Sequence, residues 1–358
     1  MLHSKNNIAI PPGATIREQL EGRNMSQKEF AQRMDMSEKH ISHLINGKVE
    51  LTHETALRLE SVLGIPAKFW NNMEALYREQ KARVLEELAL EQDEVIASKM
   101  PYFECAKLGW LPPTRKIIEK IHNLRKFFEV ANLEVLEKMQ IYAIAYRTAG
   151  ANVKSDYAKA IWAQKARIEA RSMRTDPINI RLLKDYIPQI RALTTLEPEV
   201  FCSKLESLLA QCGIALVFLP HIDGSFIHGA AFVEGNRIVL GLTVRGKYAD
   251  MFWFSLFHEL GHILYGHIAH NSVDDENNEI EADDFAKNVL IPPEKYDTYV
   301  ERRDFSKSEI LCFSNMISVA PGIVLGRLQK EGHIPFSYHH ELKVKYEYSD
   351  EAKPNDNR

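Results

Sequence analysis

Three residues in this chain have the types and spacing for metal chemistry: His258, Glu259 and His262, in the order H-E-x-x-H. On a helix, residues four apart lie one turn above each other, so the two imidazoles point the same way and can bind one Zn²⁺. Glu259 sits about 100° further round, close enough to take a proton from water on the metal without serving as a ligand. Phe252, Trp253, Phe254, Leu256, Phe257, Ile263 and Leu264 wrap the segment in apolar surface, as a buried helix requires. Two core histidines on one helix would give the same pattern, so the assignment turns on a third ligand.

The metzincin pattern needs Gly and His three and six residues past His262, where this chain has Tyr265 and Ile268. Continued as a helix, the segment would turn His267 about 140° and His270 about 80° away from His262, so neither continues the ligand face. A better source of a ligand is Glu279-Ile-Glu-Ala-Asp-Asp-Phe-Ala286, after a short acidic stretch. Ala282, Phe285, Ala286, Val289 and Leu290 give it an apolar face at helical spacing, and Pro292-Pro293 ends it. Glu279 and Asp283 are four apart, so one can ligate zinc while the other supports a ligand histidine from behind. Glu279 is the preferred third ligand and Glu281 the competing one. A His₂Glu set leaves a fourth position open, which is a catalytic arrangement. Tyr265, His267 and His228 are candidates for an oxyanion donor.

These residues need a scaffold, and the flanking sequence supplies one. A helix over 201–211 precedes a continuously apolar strand over 213–220, and strands over 227–233 and 237–242 flank Glu234-Gly235-Asn236, a hairpin signal. An edge strand of that small sheet could hold an extended peptide by strand addition, which favours proteolysis over small-molecule hydrolysis. Helices over 305–317 and 320–329 close the body.

H-E-L-G-H followed by E-x-E-A-D-x-F-A-x-x-x-L-x-P resembles the ImmA/IrrE family of metallopeptidases, as do Phe252-Trp-Phe-Ser-Leu-Phe257 and Ala320-Pro-Gly-Ile-Val-Leu-Gly-Arg-Leu-Gln329. The resemblance covers roughly residues 200–345. It implies a gluzincin-like zinc protease of the cytoplasm that cleaves a transcriptional repressor.

At the other end, Ser26 with Glu29 forms a capping box before an apolar-periodic run to Met34, and Ser37 caps a second run ending at Asn46-Gly47. With helices starting before and after, this is the pattern of a helix-turn-helix. Residues 10–78 resemble an XRE-type domain of the HigA-antitoxin kind, including Ile10-Pro-Pro-Gly13 and Ala67-Lys-Phe-Trp70. In that geometry Lys39, His40 and Ser42 read bases of double-stranded operator DNA, Ser37 lies near phosphate, and Gln27, Lys28 and Lys48 follow the backbone. Ten Lys and Arg face ten Asp and Glu over residues 1–80, so affinity would have to come from a local patch or a homodimer.

Composition sets the limits. The 358 residues carry a formal charge of −4, and no apolar run is long enough to span a membrane. The first residues lack the apolar core of a signal peptide, and Cys105, Cys202, Cys212 and Cys312 are scattered, as in a reduced cytoplasmic protein with inert thiols. Over 150–192, nine basic residues outnumber four acidic ones. A solvated helix face is the simplest reading, with a supplementary phosphate contact or a dock for an acidic partner as the alternative.

The sequence therefore predicts an α+β, mostly helical chain. A five-helix DNA-binding domain spans 1–80, a helical scaffold 81–200, a zinc peptidase domain with a small sheet and the H-E-x-x-H helix 201–348, and a flexible tail 349–358. The function expected is a DNA-binding zinc endopeptidase cutting a repressor or other regulatory protein. The alternative is a HigA-like antitoxin or regulator whose peptidase-like body binds a partner or senses a signal without cutting.

Overall fold

The computed structural model of the protein describes residues 2–138, 153–223, 225, 227–244, 248–268 and 276–348. The expected tail and His270 lie outside them. The fold is α+β and mostly helical, and divides into two compact units: Met1–Ser98 with Lys116–Ile121, and Lys99–Arg115 with His122–Arg358.

In the first unit, a small antiparallel pair, β1 (Leu2–His3) and β2 (Ile8–Ala9), precedes α1 (Gly13–Glu21), α2 (Gln27–Arg33), α3 (Glu38–Ile45), α4 (His53–Leu63) and α5 (Ala67–Ala97). The caps fall where the sequence puts them: Ser26, Ser37 and Thr52 each accept the backbone N–H three residues on. Only half of the capping box forms, because the Glu29 carboxylate turns to Arg33 at 2.6 Å. Ile16, Phe30, Ile41, Leu59 and Trp70 are fully enclosed and hold the helices in one core. The pair β1–β2 carries no strong sequence signal. Its turn is tied to α5 through Asn7, which donates to Glu87 at 3.0 Å, so this unit's contacts run well past residue 80.

After α6 (Tyr102–Lys107) and α7 (Ile117–Phe128) in the chain, the second unit is built on a three-stranded sheet in the order β3–β5–β4, from β3 (Ile214–Phe218), β4 (Gly229–Glu234) and β5 (Arg237–Leu242). β5 pairs antiparallel with β4 through the expected hairpin and parallel with β3. The central strand is covered on both faces. Ile238, Leu240 and Leu242 join the main core, while Gly241 lies against α8 (Val153–Ala170), where a Cβ would sit 2.5 Å from the Trp162 ring. Below the sheet lies α11 (Ala249–Leu264), packed on α12 (Glu276–Leu290) and on α15 (Pro321–Lys330). Trp253, Leu256, Phe257 and Leu260 of α11 are wholly buried. Three helices between these landmarks, α9 (Ile180–Ala192), α10 (Pro198–Gln211) and α14 (Lys307–Ile317), complete the body with α13 (Pro293–Glu301).

The basic segment over 150–192 is only partly a solvated face: Arg171, Arg174, Arg181 and Lys184 are exposed. Tyr157, Lys159, Ile161, Trp162 and Gln164 of α8 are all buried, because the helix covers one face of the sheet. Several of its charges are paired within the fold: Arg167 pairs with Glu234 at 2.7 Å, and the two terminal nitrogens of Arg171 bind Glu129. Arg191 donates to the Val289, Leu290 and Ile317 carbonyls, satisfying the orphan C-terminal acceptors of α12 and α14.

Candidate metal centre

Helix α11 brings His258 and His262 onto one face, as the spacing predicts, and α12 lies across them. The two helices approach closely because Gly261 faces Ala282: a Cβ on Gly261 would be 3.1 Å from the Ala282 Cα. That approach lets one turn of α12 reach the histidines. Glu279 lies 3.3 Å from the Nε2 of His258 and 3.3 Å from the Nε2 of His262, and the two Nε2 atoms are 3.0 Å apart. Ligands on a tetrahedral zinc with bonds of roughly 2.0–2.1 Å would be about 3.3–3.4 Å apart, so this donor set fits the ion. Among the described residues, His258, His262 and Glu279 form the metal-capable cluster.

The ring nitrogens facing away from that cluster are also engaged. His258 Nδ1 bonds Asp283 at 2.8 Å, which turns Nε2 toward the centre, where a bound cation would take the place of its proton. His262 Nδ1 lies 3.1 Å from His267 Nδ1, and His267 Nε2 lies 3.2 Å from Glu281. With Nε2 of His262 kept as a lone pair, its Nδ1–H donates to His267, whose own Nε2–H then donates to Glu281. Glu281 therefore orients a relay; Glu279 faces both ring nitrogens.

His267 stays outside the metal-capable cluster, as expected, but it lies beside His262, closer than a continued helix would put it, because α11 stops at Leu264. Gly266 takes a positive φ of 78°, and the His267 N–H returns to the His262 carbonyl at 2.9 Å while Gly266 N–H reaches Ile263 at 3.2 Å. This is a Schellman turn, and it swings His267 back beside His262. The Leu-Tyr-Gly-His sequence carried that signal. Of the other oxyanion candidates, Tyr265 is over half exposed, and His228 lines the cleft beside Glu259.

The electrostatics favour a cation. Burial works against a charged His258, but its bonds to Asp283 and Glu279 and the charge of Glu259 outweigh this and raise its pKa to about 10. Bonds to both histidines hold Glu279 far below the ordinary carboxylate range, and His258 likewise lowers Asp283. Glu259 moves the other way: burial pushes it up, offset in part by the two histidines. A carboxyl raised in this manner is suited to accepting and returning a proton. Gly229 on β4 makes room for it, since a Cβ there would lie 2.8 Å from Glu259 Cγ.

Sequence comparison agrees with both ends of the chain. The helix-turn-helix family profile matches residues 16–70, and the profile described as the IrrE N-terminal-like domain, a peptidase family, matches residues 232–342. An uncharacterized HTH-type transcriptional regulator, YddM, of Escherichia coli strain K12 is 38% identical over 63 residues, covering 18% of this chain and 67% of the relative. The chain belongs to the XRE-type helix-turn-helix proteins and carries an IrrE-like domain. That pairing supports a transcriptional regulator with a metallopeptidase-like body. The IrrE-like match begins within β4 and includes every residue of the metal-capable cluster, but not β3 or α8.

In the helix-turn-helix domain, Gln27, Lys28, Ser37, Lys39 and Lys48 are exposed, while His40 and Ser42 are half-buried. Ser37 Oγ is engaged as the cap of α3, accepting from His40 N–H at 3.2 Å. No single helix among the described residues is long and apolar enough to cross a membrane.

Proposed function

We propose that this chain is a DNA-binding zinc endopeptidase that regulates transcription by cutting a repressor or another regulatory protein. The observation that carries this reading is the convergence of His258, His262 and Glu279 with Glu259 one residue along the same helix. Held by His258, His262 and Glu279, zinc would polarise a peptide carbonyl and lower the pKa of the attacking water. Glu259 takes the proton from the attacking water and delivers it to the departing amine. Asp283 and the His267–Glu281 relay hold the two imidazoles in the tautomer that points Nε2 inward. β4 lies at one edge of the sheet beside α11, where an extended peptide could add as a further strand.

At the other end of the chain, α3 enters the major groove with Lys39, His40 and Ser42 towards base edges. Ser37, Gln27, Lys28 and Lys48 meet the phosphates, and a homodimer reads two half-sites. A reduced cytoplasmic setting suits four free cysteines and a DNA partner. The non-cutting regulator is less well supported, because a pure binding body has no need of a general base poised beside three ligands.

Metal content by mass spectrometry tests the reading on wild type and on Glu279→Ala, Glu281→Ala and Glu259→Gln. One zinc per chain is expected, lost in Glu279→Ala and kept in Glu281→Ala and Glu259→Gln. Glu259→Gln then serves as a trap for the uncut partner. A wild-type protein that takes up no zinc after reloading would refute the protease reading.

A further inference from the structure

His258, Glu259 and Asp283 also line a cavity of about 740 Å³. This is within the range of about 300–1,000 Å³ that holds a compact ligand, and larger than one side chain needs. Met251, Phe254, Ile323 and Phe336 make much of its wall apolar, and Phe336 is 65% exposed at that wall. The charges around it are nearly all matched. Asp250 pairs with Lys343 at 2.9 Å, Glu331 with Arg327 at 2.9 Å, and Lys287 with Asp284 at 3.3 Å. Asp283 feels the charge of Lys330 but is bonded to His258.

Lys330 is the exception. Among the described residues it makes no ion pair, and its Nζ lies 4.7 Å above the Phe254 ring, whose centre is 6.5 Å from the ring of His258. A cation resting on an apolar wall of the cleft, close to the metal ligands, is placed for a carboxylate brought by a ligand. The surrounding wall is placed for an apolar side chain beside that carboxylate. We propose that this cavity is the subsite for substrate residues next to the scissile bond, and that it selects a large apolar residue with an acidic neighbour paired to Lys330. The inference rests on the endopeptidase reading, which supplies the peptide.

The test uses full-length, zinc-loaded Glu259→Gln protein and four fluorescein-labelled decapeptides of Gly and Ser. They differ only at two central positions: Leu-Glu, Leu-Lys, Ala-Glu or Ala-Lys. Fluorescence polarisation should show Leu-Glu binding about tenfold tighter than the other three. Adding Lys330→Glu should transfer the preference to Leu-Lys, and adding Met251→Trp, which narrows the cavity, should weaken both Leu peptides. Equal affinities, no binding of any peptide, or an order that ignores Lys330→Glu would overturn the proposal. Metal content, measured separately, keeps the two readings apart. Zinc bound with no Leu-Glu preference defeats the subsite alone; no zinc, with a peptide order that still follows Lys330, defeats the peptidase and leaves a peptide-binding cleft.

Discussion

Replacing His267 with phenylalanine should weaken zinc binding about tenfold to a hundredfold, the usual cost of losing the partner behind a ligand histidine. That corresponds to about 1.4–2.7 kcal/mol. The estimate follows from the local structure: His262 is only 13% exposed, so water replaces its lost acceptor poorly. The phenyl ring preserves the packing against Tyr265, and the His267 backbone N–H that closes α11 is untouched. Asp283→Asn should cost a similar amount, because Asp283 bonds His258 directly at 2.8 Å. Glu281 lies one bond further out and its side chain is 60% exposed, so Glu281→Gln should cost less than about threefold. Glu279→Ala removes the carboxylate that faces both Nε2 atoms and should cost the most. Competition with a chromophoric chelator at fixed pH gives these affinities, and the melting temperatures of the metal-free proteins control for folding. If Glu281→Gln proved as damaging as Glu279→Ala, Glu281 would be the ligand and the assignment would be wrong. An unchanged affinity in His267→Phe would show that the relay does not orient His262.

Two further outcomes follow from packing. Gly229→Ala should leave zinc content intact, since no ligand comes from β4, yet lower peptide hydrolysis about a hundredfold: the new Cβ, 2.8 Å from Glu259 Cγ, must displace the base by a sizeable part of an ångström. Hydrolysis at the wild-type rate with an unchanged melting temperature would mean that Glu259 is not held where it is seen. For the cysteines, burial disfavours the thiolate, pushing Cys105 up to about 12 and Cys202 and Cys212 to about 11. Because only the thiolate reacts, a disulfide reagent at pH 8 should titrate one fast thiol per native chain, the exposed Cys312, and four after denaturation.

Much of the centre was legible because its information is local. Four-residue spacing on α11 and again on α12 suffices to place His258 over His262 and Glu279 near Asp283. The caps of the helix-turn-helix were legible for the same reason, each depending on one hydroxyl and a backbone N–H three residues away. What could not be read was how distant segments share a surface. Part of the basic run over 150–192 is drawn into the fold, with Trp162 against Gly241 and Arg191 against the ends of two helices, while Arg174, Arg181 and Lys184 stay exposed. Composition counts charges; it does not count the carbonyls and carboxylates that tertiary contact will bring to them.

The choice between Glu279 and Glu281 shows where the boundary lies. Two residues apart on a helix, they point about 160° from each other, so only one can face the histidines. Helical geometry alone cannot say which, because that depends on the rotation of α12 about its axis. The rotation is set by the apolar face: Ala282, Ala286 and Leu290 are buried, and Ala282 docks on Gly261. Asp283, one residue along from Ala282, then reaches His258, and Glu279, one turn before Asp283, lies above the same edge of the helix. Glu281 is left facing the Schellman turn, where His267 meets it. The acid that sequence held in competition for the metal thus has a neighbour of its own, fixed by the same docking that turns Glu279 toward the two histidines.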